Sequence, residues 1–251
     1  MKIIIVIPMR TASRRLPRKL YKSDTGKPLA VHTLDAAIAT AALLPAGIVD
    51  VVAVADRGMH SYLKRLIPKA NLALHNGDFE NGSQRVFAWL ERETRTGEYD
   101  CVIDWQADEP LIAPADVKAA AKACVFGGVI ATLGLDGLMQ KDAGDRDIVK
   151  AIARGPAVVD FTRSGAIQRV PLRRIQHVGI YAFPRKYYNL GKEYMTERAK
   201  KESLEQLTWL DLGAKIEIVE ASETRKKYKG HFKVDSVADY KRFVSIVRAQ
   251  G

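Results

Sequence analysis

The 251-residue sequence is poor in cysteine: only Cys101 and Cys124 occur, and not in a C-x-x-C spacing. This excludes a disulfide-stapled secreted scaffold and a cysteine-rich zinc module. The familiar phosphate loops are also missing. No G-x-G-x-x-G follows the first apolar run, and Gly26-Lys27 fails the Walker pattern because position 21 is Tyr and position 28 is Pro. Rossmann dehydrogenases and P-loop NTPases therefore drop out. Without a recognisable Ser-His-Asp or Cys-His set, a covalent intermediate is not expected. Long hydrophobic runs are absent too. The apolar stretch Ile3 to Ile7 meets Pro8 and Arg10, too short for a signal segment or a membrane span, so a cytoplasmic protein is expected. Acidic residues are in deficit, 29 against 40 Lys and Arg, for a net charge of +11. Such a surface favours phosphates, nucleic acids or anionic small molecules. What remains, 47% hydrophobic and 27% charged, is ordinary folding composition and excludes intrinsic disorder.

Lys2 to Pro8 is a continuous β-branched run, the pattern of a strand covered on both faces. Pro28 to Ala42 repeats apolar residues at helical spacing with Pro28 where a first turn tolerates it, and Val49 to Ala55 returns to a strand. The alternation continues with a helix at Arg57 to Leu66, a strand at Leu72 to Leu74, a helix at Ser83 to Arg92 and a strand at Cys101 to Trp105. Helix Pro114 to Cys124 and strand Val129 to Leu133 follow. The reading is α/β: a mostly parallel open sheet with helices on both faces. Ile148 to Ile152 and Val158 to Thr162 flank the turn signal Arg154-Gly155-Pro156 and read as a hairpin. Gln176 to Phe183 is a further strand, Lys201 to Leu212 helical, Lys215 to Ala221 a strand and Val237 to Arg248 a closing helix. With neither repeat nor linker, one domain over residues 1–251 is expected, residues 136–185 forming a partly antiparallel insertion.

Open parallel sheets bind ligands beyond the carboxyl ends of their strands. The loop after the first strand carries Arg10, Arg14, Arg15, Arg18, Lys19, Lys22 and Lys27 with Asp24 as its only acid. Clustered cations are favourable only when solvated or neutralised, and a polyphosphate would neutralise these. The plainer reading is a solvated basic loop. Gln106-Ala107-Asp108-Glu109-Pro110 tops the strand ending at Trp105, where a carboxylate can hold Mg²⁺ or merely start the next turn. Asp235 precedes Ser236 and Asp239, a helix-start pair, and reads on its own as a residue just outside a cap.

In order along the chain, these pieces resemble the CMP-Kdo synthetases, the 3-deoxy-manno-octulosonate cytidylyltransferases. The family's I-P-A-R-x-x-S-x-R-L-P-x-K is similar to Ile7-Pro8-Met9-Arg10 through Ser13, Arg15, Leu16, Pro17 and Lys19, followed by Gly26-Lys27-Pro28-Leu29. S-G-T-E-R resembles Asn81 to Arg85, Q-G-D-E-P resembles Gln106 to Pro110, and N-x-V-K resembles Asp147 to Lys150. F-S-R resembles Phe161-Thr162-Arg163, H-x-G-I-Y matches His177 to Tyr181, L-E-Q-L-R resembles Leu204 to Thr208, and V-D-T-P-E-D-L resembles Val234-Asp235-Ser236 onward.

The resemblance implies an enzyme that joins CTP to an acidic sugar, 3-deoxy-manno-octulosonate, releasing pyrophosphate and making a CMP-sugar for lipopolysaccharide or capsule assembly, as a homodimer. It places Mg²⁺ on Asp108 and Asp235 and the triphosphate on Arg10, Ser13, Arg15 and Lys19. Arg85 and the Gly82-Ser83 backbone would read the base. Gln106, Arg163, His177, Tyr181 and Glu205 would line the sugar pocket. A lone strand histidine reads first as a packed structural residue, so His177 owes its assignment to the resemblance. The chain departs from the family pattern at Arg18 and Ala107, each replacing Gly, at Gln84 and Asp147, and over Ser164 to Gln168 on the sugar side. These departures leave open another sugar acid or another nucleotide. A catalytically idle nucleic-acid-binding domain, using the basic loop with Arg225, Lys226, Lys227, Lys229 and Lys233, is the reading from a different class. No recognition helix, zinc finger or aromatic platform accompanies that charge.

Overall fold

The structure, a computed structural model, describes residues 1–13, 15–44, 49–93, 97–137, 144–164, 172–228 and 233–250. Arg14, Lys229 and positions 165–168 lie outside the described residues.

The first strand, β1 (Ile3–Met9), is buried along its whole length. Ile3, Ile5 and Ile7 point into one core and Ile4 and Val6 into another. This is why a β-branched run without polar alternation folds here, each such side chain contributing about 1.5–3 kcal/mol on burial. β2 (Val49–Ala55), β3 (Leu72–Leu74) and β4 (Cys101–Trp105) complete a parallel unit in the order β3-β2-β1-β4. Helices α1 (Leu29–Ala42), α2 (Arg57–Leu66) and α4 (Pro114–Gly127) cover the Ile5 face, and α3 (Gly82–Arg92) covers the other with Val86, Phe87, Trp89 and Leu90.

Beyond β4 the expected mostly parallel sheet gives way to a mixed one. Among the described residues it has nine strands in the order β3-β2-β1-β4-β8-β5-β9-β7-β6, with β5 (Ile130–Leu135), β6 (Lys150–Arg154), β7 (Ala157–Thr162), β8 (Arg173–Pro184) and β9 (Ile216–Glu220). β8 runs antiparallel between β4 and β5; its first residues pair instead with β6, so β8, β5, β9, β7 and β6 close a ring. The pattern of a buried strand does not encode its direction, and β8 returns from the hairpin rather than from a crossover helix. The hairpin β6–β7 forms as expected, its turn made by Gly155 with φ +58.

The expected helix Lys201 to Leu212 is two: α5 (Glu197–Glu202) and α6 (Gln206–Asp211), separated by Ser203 in the left-handed region. Three more elements were not expected: α7 (Ser222–Tyr228), a 3-10 helix at Arg185–Lys192 and a short 3-10 turn at Lys19–Tyr21. The chain's last helix, α8 (Val237–Arg248), starts on a capping box formed by Ser236 and Asp239. Among the described residues no helix is long and apolar enough to cross a membrane.

Candidate active site

β1 and β4 lie side by side in parallel, Val6 opposite Asp104, so the basic loop and the Gln106–Pro110 turn emerge together from the same edge of the sheet. The basic loop is pinned by two apolar residues, Leu16 and Leu20, which are sunk in the core. Arg15 and Lys19 follow the same spacing and are carried to the edge. Lys19 opens a short 3-10 turn behind Arg18, whose φ of 53 is the conformation a glycine adopts without strain. Ala107 has no such requirement: it is absent from the positive-φ residues, and its carbonyl accepts a 2.8 Å hydrogen bond from Thr33.

Asp108 and Asp235, 127 positions apart in the sequence, meet at Lys19. The Lys19 ammonium donates to Asp108 Oδ2 at 2.6 Å and to Asp235 Oδ1 at 2.7 Å, so those two carboxylate oxygens lie within 5.3 Å of each other. A backbone bond from Val234 N to Asp108 O, 2.9 Å, and full burial of Val234 hold the two segments together. Arg15 pairs with Asp235 on one side and with Asp147 at 3.1 Å on the other. Lys233 stands 3.7 Å from Asp108 and 3.6 Å from Asp235. Burial works to raise the Asp108 pKa, but Lys233 and Lys19 outweigh it and hold the carboxyl well below the usual range. In return Asp108 raises the Lys233 ammonium above its ordinary value. The capping box is satisfied by Ser236 and Asp239, which leaves the Asp235 carboxylate outside it and turned to the cations. Among the described residues no group of three or more His, Cys, Asp or Glu could hold a metal. An ion here would draw its remaining oxygens from substrate phosphate and water, the usual habit of Mg²⁺.

At the start of α3, Asn81 caps the Gln84 N–H at 2.9 Å. A Cβ on Gly82 would come within 2.7 Å of Gln106 Oε1 and 3.1 Å of Pro8, so this glycine is set by close approach. Arg85 is buried, donates to the His75 carbonyl and lies over the Phe79 ring, 4.8 Å from its centroid. Arg10 is exposed and acts on Arg85 as a nearby like charge; Ser13 is half-buried in the same loop.

Most of the residues expected on the sugar side cluster around the ends of β4 and β8. Tyr181 is the register partner of Asp104 and packs edge-on against Trp209, ring centroids 4.7 Å apart. His177 bonds Thr132 through Nε2 at 2.9 Å and stacks on Tyr181. Arg163 donates to the backbone carbonyls of Arg146 at 3.0 Å and Glu202 at 3.3 Å. Gln106 donates to Asp104 at 3.0 Å, and Glu205 stands at the start of α6. Thus Arg15, Lys19, Asp108 and Asp235 form one ion-pair cluster. Gln106, His177, Tyr181 and Glu205 form a second group along β4, β8 and α6, while Arg163, just after β7, faces the Arg15, Asp147 and Asp235 side of the ion-pair cluster. Sequence reasoning missed two participants: Lys233, counted only as part of a basic patch, and the Asp147 contact with Arg15. Of the proposed nucleic-acid footprint, Lys233 turns inward to the two aspartates, Lys226 pairs with Glu223 and Arg225 bonds the Asp136 carbonyl.

The family described as cytidylyltransferase matches residues 4–133. The 3-deoxy-manno-octulosonate cytidylyltransferase of Brucella ovis is 30% identical over 236 residues, 87% of each chain. That of Brucella anthropi is 30% identical over 235 residues, covering 87% of this chain and 88% of the relative. A solved CMP:2-keto-3-deoxy-manno-octonic acid synthetase complexed with CTP superposes with a TM-score of 0.82 at 26% identity, over the whole of both chains.

Proposed function

The chain belongs to the cytidylyltransferase family, and on that premise we propose that it transfers a cytidylyl group from CTP to the anomeric hydroxyl of an acidic sugar, 3-deoxy-manno-octulosonate, releasing pyrophosphate. The observation that carries this reading is the meeting of Asp108 and Asp235 on Lys19 beside Arg15 and Lys233, at the carboxyl ends of β1 and β4. Three cations close to two carboxylates suit a triphosphate that arrives with a divalent ion. The bond formed joins the sugar oxygen to the α-phosphorus, the bond broken joins the α- and β-phosphates, and the hydroxyl proton leaves with the solvent.

In this scheme Arg10, Ser13, Arg15 and Lys19 grip the triphosphate and hold the α-phosphorus in line with the incoming hydroxyl. Positioning and charge stabilisation then do most of what phosphoryl transfer needs. Arg85 and the Gly82-Ser83 backbone take the base, while Gln106, Arg163, His177, Tyr181 and Glu205 take the sugar acid. Asp108 and Asp235 would hold Mg²⁺, which when bound neutralises phosphate charge and lowers the pKa of the attacking hydroxyl. The resulting CMP-sugar suits lipopolysaccharide or capsule assembly by a cytoplasmic, homodimeric enzyme.

The test is pyrophosphate release by the purified protein with Mg²⁺, CTP and 3-deoxy-manno-octulosonate, with UTP, ATP and GTP as competitors. Asp108→Asn and Asp235→Asn are expected to remove turnover while keeping the wild-type circular dichroism spectrum. Full activity in both variants, or tight and steeply salt-dependent oligonucleotide binding with no nucleotide turned over, would overturn the reading.

A further inference from the structure

Asp104 has no part in the scheme above, yet it is the most enclosed carboxyl near the sugar side. It sits in the middle of β4 between Ile103 and Trp105, fully buried. The Ser83 hydroxyl lies 2.5 Å from Oδ2, and Gln106 Nε2 donates to Oδ1 at 3.0 Å. Among the described residues no Lys, Arg or His forms an ion pair with it. An ionised carboxylate so enclosed, with two neutral hydrogen-bonding partners and no cation, is strongly disfavoured.

A second carboxyl, Glu205, reaches the same serine from the start of α6, and its Oε2 is enclosed without a protein partner. Burial pushes both groups up, Glu205 opposes ionisation of Asp104, and Asp108 opposes that of Glu205. The balance between them is uneven. Glu205 is stabilised as an anion by the Ser83 hydroxyl, by Lys233 and by the Ser83 backbone N–H, whereas Asp104 faces no positive charge. Tyr181 from β8 stands beside both acids and is itself near Glu109 and Arg163, and Asp108 from the turn after β4 acts on Glu205. A serine has one hydrogen to give and lone pairs to receive. With the proton on Asp104, the acid donates to Ser83 Oγ and the serine hydroxyl turns to Glu205.

We propose that Asp104 is a positioning residue held as a neutral acid, which through Ser83 fixes Glu205 as the charged acceptor for a hydroxyl of the sugar acid. The contact between Glu205 and the sugar rests on the cytidylyl-transfer reading; the placement of the proton does not. Two measurements test it. In infrared difference spectra at pH 8, wild type minus Asp104→Asn retains the C=O stretch of a protonated carboxyl, and Glu205→Gln minus Asp104→Asn retains it as well. Absence of that band from wild type overturns the proposal. In steady-state kinetics Asp104→Asn, which keeps both hydrogen bonds without charge, holds the KM for 3-deoxy-manno-octulosonate within about threefold. Asp104→Ala raises it about tenfold, the size of one hydrogen bond to a charged group, and leaves the KM for CTP unchanged. If Asp104→Asn loses as much as Asp104→Ala, or if both KM values rise together, the positioning role is wrong. Should the alanine variant not fold, the asparagine variant and the band decide. An inactive wild type with CTP and the sugar refutes the proposed reaction instead, while the band still reports where the proton is.

Discussion

Replacing Lys19 by methionine isolates what the lysine does before any substrate arrives. Its ammonium lies between two carboxylate oxygens that are at most 5.3 Å apart. At about 5 Å and an effective dielectric near 20, two like charges repel by roughly 3 kcal/mol. Lys19→Met keeps the length and apolar stem of the side chain but removes the charge that holds Asp108 and Asp235 together. Arg15 and Lys233 remain at the edge of the cluster, Lys233 at 3.6 and 3.7 Å. In a chelator the variant is therefore expected to lose about 2–3 kcal/mol of stability, and at roughly 2–4 °C per kcal/mol its melting temperature falls by about 4–12 °C. Millimolar Mg²⁺ without nucleotide then recovers much of that loss in Lys19→Met, by mass action on the freed carboxylates, and raises the wild type much less because the lysine already stands between them. Thermal melts of both proteins in EDTA and in Mg²⁺ give the four numbers required. Equal melting temperatures in EDTA, or equal Mg²⁺ shifts in the two proteins, would refute the argument that Lys19 and a divalent ion compete for the same pair of acids.

Two further outcomes follow from local geometry. Arg18 pays for a φ of 53 with about 1–2 kcal/mol of strain, partly offset by its stack on Tyr21 at 5.0 Å. Arg18→Gly is therefore expected to change stability by no more than about 1 kcal/mol, while the β-branched Arg18→Val costs about 2 kcal/mol more than the glycine; urea denaturation separates them. His32 bonds Thr25 at 2.7 Å and lies edge-on to Phe243, and burial together with Lys27 lowers its pKa to about 4. The unfolded chain takes up the proton first, near pH 6.5, so this contribution is complete above that pH and is lost as the pH falls toward about 4. With allowance for partial exposure, His32→Gln should shrink the stability difference between pH 7 and pH 4.5 by about 1–2 kcal/mol, read from denaturation midpoints.

The parts of this fold that could be read in advance are those written in local pattern. Val49–Ala55, Arg57–Leu66, Leu72–Leu74 and Cys101–Trp105 fall where periodicity and flanking polar residues place them. The direction of β8 was not legible, because pairing partners are chosen by the whole sheet and not by Gln176 to Phe183 themselves. Nor was the break at Ser203, where a single left-handed residue splits an apparently continuous helical pattern. In the site, the order of motifs pointed to Arg15, Lys19, Asp108 and Asp235, and the structure brings these four together. Asp104 was hidden inside an apolar strand. The usable signal was the acid itself, since a charged residue in a run that must be buried is the informative exception. Lys233 carried no such mark among its many basic neighbours, and only the pairing of Val234 with Asp108 reveals its direction.

β8 has a mechanical consequence. Its twelve residues are one uninterrupted backbone, laddered to β6 near Arg173 and to β4 from Ile180 to Pro184, with β5 along the opposite side. The strand acts as a spine shared by the parallel unit β3-β2-β1-β4 and the ring of β5, β9, β7 and β6. Swinging the parallel unit against the ring would tear interstrand bonds on both flanks of β8, so the two are coupled through one continuous backbone.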